Sequence, residues 1–130
     1  MADIILKPML AETCEDMSKL DYPVLVSPKL DGIRCLKPTV DPLTRKLKLI
    51  PNHHVRGILE DVLAPGMDGE IMVIKKTCDR DGQISYSYAK FNECQSAIMR
   101  EDGKPDFEFW AFDWVDASLT TPYVTRFARL

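Results

Sequence analysis

Residues 107–115 constrain the fold of this chain more than any other segment, because the segment is apolar on both sets of alternating positions. The apolar residues of the two sets are Phe107, Phe109, Ala111 and Val115, and Trp110, Phe112 and Trp114. Successive side chains of a strand point to opposite faces of the sheet. A strand that is apolar on both sets is therefore expected to be covered on both faces.

Short apolar runs separated by proline, glycine and polar turns predict further strands and helices. The expected strands, besides 107–115, are residues 24–26, 33–37, 43–50 and 67–74, with a polar turn at 79–82. The expected helices are a short one at 12–20 with Met17 and Leu20 as apolar contacts, one after Asn52, one at 90–100 and one beginning near Tyr123. This order predicts an α+β fold with a mainly antiparallel sheet and flanking helices.

The clearest helix follows Asn52, a residue type that favours the N-cap position. The apolar residues behind it recur at spacings of three and four, and they are Val55, Ile58, Leu59, Val62 and Leu63. This spacing places them on one face of a helix, which is expected to be buried.

Composition and charge exclude several protein classes. The chain has 130 residues, of which 45% are hydrophobic and 28% charged, and this is typical of a single globular domain. The net charge of −3 does not indicate a strongly basic nucleic-acid-binding protein. Residues 29–56 nevertheless hold seven basic and two acidic residues. A polyanion would bind there, although a solvated basic surface explains the same charges.

The cysteines and histidines do not form the pattern of a metal site. Reduced, mostly buried thiols are expected for the four cysteines, which are Cys14, Cys35, Cys78 and Cys94. No apolar run approaches the roughly 20 residues that a membrane helix needs. Residues 1–4 lack the pattern of a secretion signal. We therefore expect a soluble, non-secreted, cytoplasmic protein without a membrane partner.

Residues 27–34 contain the motif K-x-D-G-x-R, formed by Lys29, Asp31, Gly32 and Arg34. A lysine at the end of a buried strand loses solvation, which lowers its pKa from about 10.4 and makes the amine a nucleophile. Gly32 permits a tight turn, so that the strands on either side can face one pocket. A guanidinium at Arg34 could bind a phosphate or a ribose.

This motif resembles motif I of the covalent nucleotidyltransferases, which include ATP-dependent DNA ligases, RNA ligases and mRNA capping enzymes. Further segments continue the resemblance in the order of the family. They are residues 44–52 (the arginine-bearing motif, with Thr44 where serine is usual), 67–71 (the D-G-E motif), 91–99 (a segment of small phage-type DNA ligases), 109–114 (the aromatic motif) and 122–130 (the following helix). The chain therefore resembles an ATP-dependent DNA ligase of the small phage or bacterial type.

The resemblance implies a nucleotidyltransferase (ATP-grasp-like) fold of antiparallel sheets and flanking helices that is incomplete at the C-terminus. Residues 1–130 would be the N-terminal part of a ligase adenylation domain. The family continues with an E-G motif, a K-x-K motif and usually an oligonucleotide-binding-fold domain, which lie outside this sequence. The chain alone is therefore expected to adenylate itself weakly or not at all, and to self-associate through exposed sheet edges.

By resemblance, Lys29 attacks the α-phosphorus of ATP and retains AMP, with Mg²⁺ neutralising charge. Asp31 is expected to orient Lys29 or a metal-bound water, although a simple turn aspartate fits as well. The other implied nucleotide contacts are Ser27 with the adenine amine, Leu30 beside the nucleotide, Arg34 with ribose or phosphate, Arg45 with ATP phosphates or the 5′-phosphate of a nick, Glu70 with the ribose hydroxyl or the metal, and Phe112 stacked on adenine. Trp110 and Trp114 are expected in the core, and Arg126 is a candidate for a structural or nucleotide-proximal contact.

The function that the resemblance implies is ATP-dependent sealing of nicked duplex DNA, as needed in replication, repair and recombination. AMP would pass from Lys29 to the 5′-phosphate of the nick. Two alternatives remain open: an RNA ligase or capping-type nucleotidyltransferase, and a catalytically inactive nucleotide- or DNA-binding fragment. The similarity of residues 91–99 to phage ligases favours DNA.

Overall fold

An antiparallel sheet of five strands organises the protein, as seen in a computed structural model that describes residues 7–116 and 118–130. The strands are β1 (Ile33–Leu36), β2 (Leu43–Thr44), β3 (Met67–Cys78), β4 (Ile84–Tyr88) and β5 (Phe107–Trp114). The helices are α1 (His53–Val62), α2 (Phe91–Ile98) and α3 (Tyr123–Phe127), with a single 3₁₀ turn at Met17–Lys19. The predicted α+β class with an antiparallel sheet is confirmed.

Strand β3 is the longest strand, and it joins the two parts of the sheet. Its first half pairs with β1 and with β5, and its second half pairs with β4. The register sets Arg34 of β1 opposite Glu70 of β3, and Asp68 of β3 opposite Asp113 of β5. The first half of β3 therefore brings charged side chains from three strands together.

The hydrophobic core lies between one part of the sheet and the helices α1 and α2. Its buried members come from the strands, from both helices and from the segments that join them. They include Ile33, Cys35, Ile50, Val55, Leu59, Leu63, Ile71, Val73, Ala89, Cys94 and Ile98. Removal of these side chains from water provides the main driving force for folding.

Asn52 is confirmed as the N-cap of α1. Its Oδ1 accepts a hydrogen bond of 2.9 Å from the amide of Val55. Its Nδ2 donates to the carbonyls of Arg100, Asp102 and Gly103, which follow α2. The side chain is fully buried, so these bonds tie the start of one helix to the end of the other.

The apolar face of α1 is narrower than its periodicity predicts. Val55, Leu59 and Leu63 are buried, as expected, but Ile58 is exposed and Val62 keeps 66% of its surface in solvent. Ile58 and Val62 are four residues apart and lie on the same edge of the apolar face, so this edge is the part left uncovered.

The prediction for residues 12–26 is wrong in two places. Residues 12–20 contain only the 3₁₀ turn, with Met17 and Leu20 exposed. Residues 24–26 are extended but form no strand, and Val26 is 88% exposed. No strand in the described part of the chain pairs with them, so their apolar side chains have nothing to pack against.

The strand predicted at 43–50 is also wrong, because β2 ends at Thr44. A turn follows in which Leu47 has a φ of 59°, and the chain returns so that Leu49 bridges to Leu43. The predicted strand at 67–74 is confirmed and extends to Cys78, and β4 beyond it was not predicted.

The predicted cover on both faces of residues 107–115 is wrong for part of β5. Phe107 and Phe109 pack against the core, whereas Trp110 is 42% exposed. Its indole instead donates to Glu108 and meets Tyr88 edge to face. Trp114 is half-buried, and its indole nitrogen donates to the carbonyl of Pro65.

Residues 7–116 and 118–130 contain no helix with the length and apolar character needed to cross a bilayer. The prediction about a secretion signal concerns residues 1–4, which lie outside the described residues.

Candidate functional site

A tight approach of two strands at Gly32 forms the base of the site. The Gly32 amide donates a hydrogen bond of 3.1 Å to Oε1 of Glu70. A β-carbon at Gly32 would lie 2.2 Å from the carbonyl oxygen of Ile71, so no larger residue fits without a backbone shift. The glycine of the motif therefore lets β1 start close enough to β3 to hold the Glu70 carboxylate.

Arg34 lies beside Glu70 and is held by Asp68. Its Nε and Nη2 donate to the two carboxylate oxygens of Asp68 at 2.7 and 2.6 Å, and Nη2 also reaches the carbonyl of Met9. The hydrogen bonds that Arg34 donates to Asp68 raise the pKa of Arg34 above its already high value. The guanidinium carbon lies 4.6 Å from the centre of the Phe112 ring, which is a cation–π distance. Arg34, Glu70 and Phe112 are thus brought together as predicted.

Glu70 is the half-buried acid of the site. Burial raises its pKa above the ordinary value, while the Gly32 amide and the cations Arg34 and Lys29 act in the opposite direction. Arg34, Glu70 and Phe112 therefore form one group of side chains, and Lys29 lies in the chain segment that leads into Gly32.

The segment that carries Lys29 forms no strand, and most of its residues are exposed. Ser27, Lys29 and Asp31 are exposed, and Leu30 is half-buried. The predicted burial of Lys29 at the end of a strand is therefore wrong in this structure, because residues 24–30 form no strand.

The geometry combines an amine, a guanidinium, a carboxylate and an aromatic ring. A guanidinium binds phosphate or hydroxyl oxygens, a carboxylate accepts bonds from hydroxyls, and an aromatic ring stacks on a planar base. Together these groups match the parts of a nucleotide.

Two of the solved structures that match this chain are of Chlorella virus DNA ligase-adenylate. The first has 32% sequence identity and a TM-score of 0.74, and the second has 31% identity and a TM-score of 0.75. The fold is that of a DNA ligase nucleotidyltransferase domain. Each match covers 94% of this chain, so the resemblance inferred from the motifs is confirmed along nearly all of it.

The chain spans 40% of the length of these two ligase chains. No protein-family model matches the sequence, and no curated protein does.

The ligase-like fold places Arg45 in a separate cleft from Glu70. Arg45 is exposed and lines an open cleft of ≈ 470 Å³. The other lining residues are Lys7, Pro8, Leu10, Lys46 and Leu47. Met9 lies in the same N-terminal stretch and accepts a bond from Arg34, so residues 7–10 connect this cleft to the site. No local sequence pattern predicts that Lys7 lines the same cleft as Arg45, because the two are far apart along the chain.

Residues 29–56 do not present a uniform basic surface. Lys37 is buried, with 6% of its surface exposed, and its ammonium group donates to the carbonyls of Glu60 and Leu63 at the end of α1. This lysine completes a helix C-terminus and is not available to a polyanion.

No role was predicted for Asp68 and Asp113, whose carboxylates are buried in the structure. Each is 3% exposed. Asp68 binds Arg34, and Asp113 binds Arg126 through two hydrogen bonds of 2.8 and 3.0 Å. A buried acid must be paired or neutralised, so an aspartate within an otherwise apolar strand is the signal that could have identified them.

The prediction of reduced, mostly buried cysteines is confirmed in part. All four thiols are free, with Cys35 and Cys94 buried but Cys14 and Cys78 exposed, so the expected burial holds for half of them. Burial raises the pKa of Cys35 to about 12, which leaves it inert. The described residues include no group of three or more His, Cys, Asp or Glu side chains that could hold a metal ion.

Proposed function

We propose that this chain is the nucleotide-binding part of an ATP-dependent DNA ligase and that Lys29 receives AMP from ATP. The proposal is supported by the grouping of Arg34, Glu70 and Phe112 beside the segment that carries Lys29. In it, residues 1–130 are the N-terminal part of the adenylation domain, and the E-G and K-x-K motifs belong to the rest of the protein.

The reaction proposed for Lys29 is a nucleotidyl transfer. The deprotonated Nζ attacks the α-phosphorus of ATP, a nitrogen–phosphorus bond forms, and the bond from that phosphorus to pyrophosphate breaks. Pyrophosphate leaves, and the amine proton is lost to solvent. Such transfers depend mainly on positioning and charge neutralisation.

The other residues of the group bind the nucleotide. Phe112 stacks on adenine with the ring face that Arg34 leaves free. Arg34 contacts ribose or phosphate, and Glu70 accepts from a ribose hydroxyl. Ser27, Leu30 and Asp31 lie beside Lys29 in the chain and line the same side of the nucleotide, with Asp31 orienting the amine.

Magnesium fits this donor set only as an ion held largely by ATP. One oxygen of Glu70 accepts from Gly32, which leaves the other for a metal. In nucleotide sites, Mg²⁺ is usually bound through one or two carboxylates plus phosphate oxygens. When bound, the ion would neutralise charge on the phosphates.

Nicked duplex DNA is the proposed acceptor of AMP. The cleft with Arg45, Lys46 and Lys7 offers cations for a 5′-phosphate, and the similarity to Chlorella virus DNA ligase-adenylate supports DNA as the substrate. The role would be in replication, repair or recombination in the cytoplasm of a bacterial or phage-infected cell. The exposed apolar residues 24–26 would favour self-association of the isolated chain.

One observation favours a second candidate, a fragment that binds nucleotide without reacting. Lys29 is exposed on a segment that pairs with no described strand, so nothing in the described chain lowers its solvation. The residues that would complete its surroundings belong, by resemblance, to the missing motifs. The isolated chain is therefore expected to react slowly.

The test is covalent labelling with α-phosphate-labelled ATP and Mg²⁺. We expect weak, acid-labile AMP labelling of the chain and strong labelling of a longer chain that contains the E-G and K-x-K motifs. Lys29→Ala should abolish the label, and Lys76→Ala, at an exposed lysine of β3, should retain it. Label that persists in Lys29→Ala, or its absence from the longer chain, would contradict the proposal.

Two further arms separate the alternatives. Preference for GTP over ATP would indicate a capping-type enzyme. In the longer chain, sealing of nicked RNA but not of nicked DNA would indicate an RNA ligase.

A further inference from the structure

Four charged side chains form a continuous row behind the candidate site. Arg34 of β1 binds Asp68 of β3, Asp68 lies opposite Asp113 of β5, and Asp113 binds Arg126 of α3. Two buried carboxylates side by side repel each other unless each has its own cation. Arg126 supplies the second cation, so that Asp68 can bind Arg34 without competition from Asp113.

Strand β5 bulges at the residue of the site that would stack on adenine. In the register with β3, Asp113 lies opposite Asp68 and Ala111 opposite Gly69, so Phe112 is an extra residue without a partner on β3. A β-bulge re-aims side chains and leaves its backbone without the regular ladder bonds. The direction of the Phe112 ring therefore depends on what holds this bulge.

Helix α3 holds the bulge at two successive residues. The hydroxyl of Tyr123 donates a hydrogen bond of 2.7 Å to the Phe112 carbonyl. Arg126 binds both carboxylate oxygens of Asp113, and its guanidinium lies 5.4 Å from the centre of the Tyr123 ring.

We infer that Tyr123 and Arg126 are positioning residues that fix the β5 bulge, and thereby set the affinity of Phe112 for the adenine of a nucleotide. The inference rests on the proposed function, because it concerns the same nucleotide site. Helix α3 would then influence adenine binding without touching the adenine.

The test compares binding of ATP with binding of inorganic tripolyphosphate, which has no base to stack. Tyr123→Phe removes one hydroxyl and keeps the ring, so we expect ATP affinity to fall about threefold to tenfold while tripolyphosphate affinity is unchanged. Val124→Ala, at a 61% exposed position of the same helix, should leave both affinities unchanged. The fluorescence of Trp110 and Trp114, which flank Phe112, provides the signal.

Variants at Arg126 separate an effect on binding from a loss of stability. Arg126→Gln leaves Asp113 buried and unpaired, so that variant is expected to be unstable. The double variant Arg126→Gln, Asp113→Asn removes both charges, and it should regain stability but bind ATP more weakly than the unsubstituted chain.

Three outcomes would overturn the inference. Equal weakening of ATP and tripolyphosphate by Tyr123→Phe would mean a general structural role, and unchanged ATP affinity would mean that the bulge is held without α3. Failure of the unsubstituted chain to bind ATP would instead remove the proposed function, and this inference with it.

Discussion

The two halves of the K-x-D-G-x-R motif differ sharply in how the protein supports them. Gly32 and Arg34 lie in or beside the sheet, with Arg34 bonded to a carboxylate that is almost fully buried. Lys29 and Asp31, only a few residues earlier, are exposed on a segment without a strand partner among the described residues. Arg34, Glu70 and Phe112, which form the wall of the proposed nucleotide site, are thus held by this chain, whereas Lys29, the proposed nucleophile, is not enclosed by the described residues.

Under the proposed function, this difference means that nucleotide binding and reaction depend on different parts of the protein. The wall draws its rigidity from buried hydrogen bonds across β1, β3 and β5, which a single chain of this length can form. The nucleophile needs desolvation, which requires a covering layer. The variants below test this contrast, from the largest expected effect to the smallest.

Asp68→Ala should give the largest loss of stability. It leaves the Arg34 guanidinium largely buried without its partner, and removal of one member of a buried ion pair costs about 3–5 kcal/mol in free energy of unfolding. Urea denaturation measures this cost. Lys75→Ala is the control, because its partner Glu93 is 39% exposed and keeps its bond to the Lys90 amide, and the loss should be below about 1 kcal/mol. Equal effects of the two variants would mean that the wall is no more rigid than the surface.

Gly32→Ala should have the next largest effect. The added β-carbon would meet the Ile71 carbonyl at 2.2 Å, so β1 must move away from Glu70. Such overpacking costs about 1–3 kcal/mol, and the loss should be visible in thermal unfolding. Gly57→Ala in α1 has no atom within 4 Å of its added β-carbon, and it should raise stability by about 0.5–1 kcal/mol. A neutral Gly32→Ala would show that the strands need not approach so closely.

Glu70→Gln should have the smallest effect, and its sign depends on pH. Burial raises the pKa of Glu70 above 4.5, so the folded chain binds this proton more tightly than the unfolded chain. The stability from Glu70 is greatest below the unfolded pKa and is lost as pH rises through the raised folded pKa. Glu70→Gln should therefore increase the free energy of unfolding at pH 7 by less than about 1 kcal/mol.

That gain should vanish below pH 4.5, where the carboxyl of the original residue is also neutral. Unfolding midpoints measured across this pH range would check the prediction. A gain that stays constant with pH would show that burial does not penalise the Glu70 charge.

The sequence was sufficient to predict an element where its pattern does not depend on distant residues. The Asn52 cap and the spacing of Val55 and Leu59 define α1 without reference to distant residues. The alternation of Ile84, Tyr86 and Tyr88 with serines could likewise have predicted β4, since this period of two is typical of a strand.

The sequence was insufficient where a partner is distant or absent. Residues 24–26 have the composition of a buried strand, but a strand requires a neighbour, and the described residues do not supply one. The pairing of Asp68 with Asp113 depends on the register of β3 and β5, and the bulge at Phe112 shifts that register by one residue. No local pattern predicts such a shift.

The most direct test of one nucleotide site is a titration of the ¹⁵N-labelled chain with AMP, followed by the backbone amide signals. We predict that the largest amide shifts occur together at Gly32, Arg34, Glu70 and Phe112, and that the Lys29 amide shifts over the same range of AMP concentration. Shifts centred instead on the separate cleft that contains His53 and Lys104, or no saturable shifts at all, would contradict it.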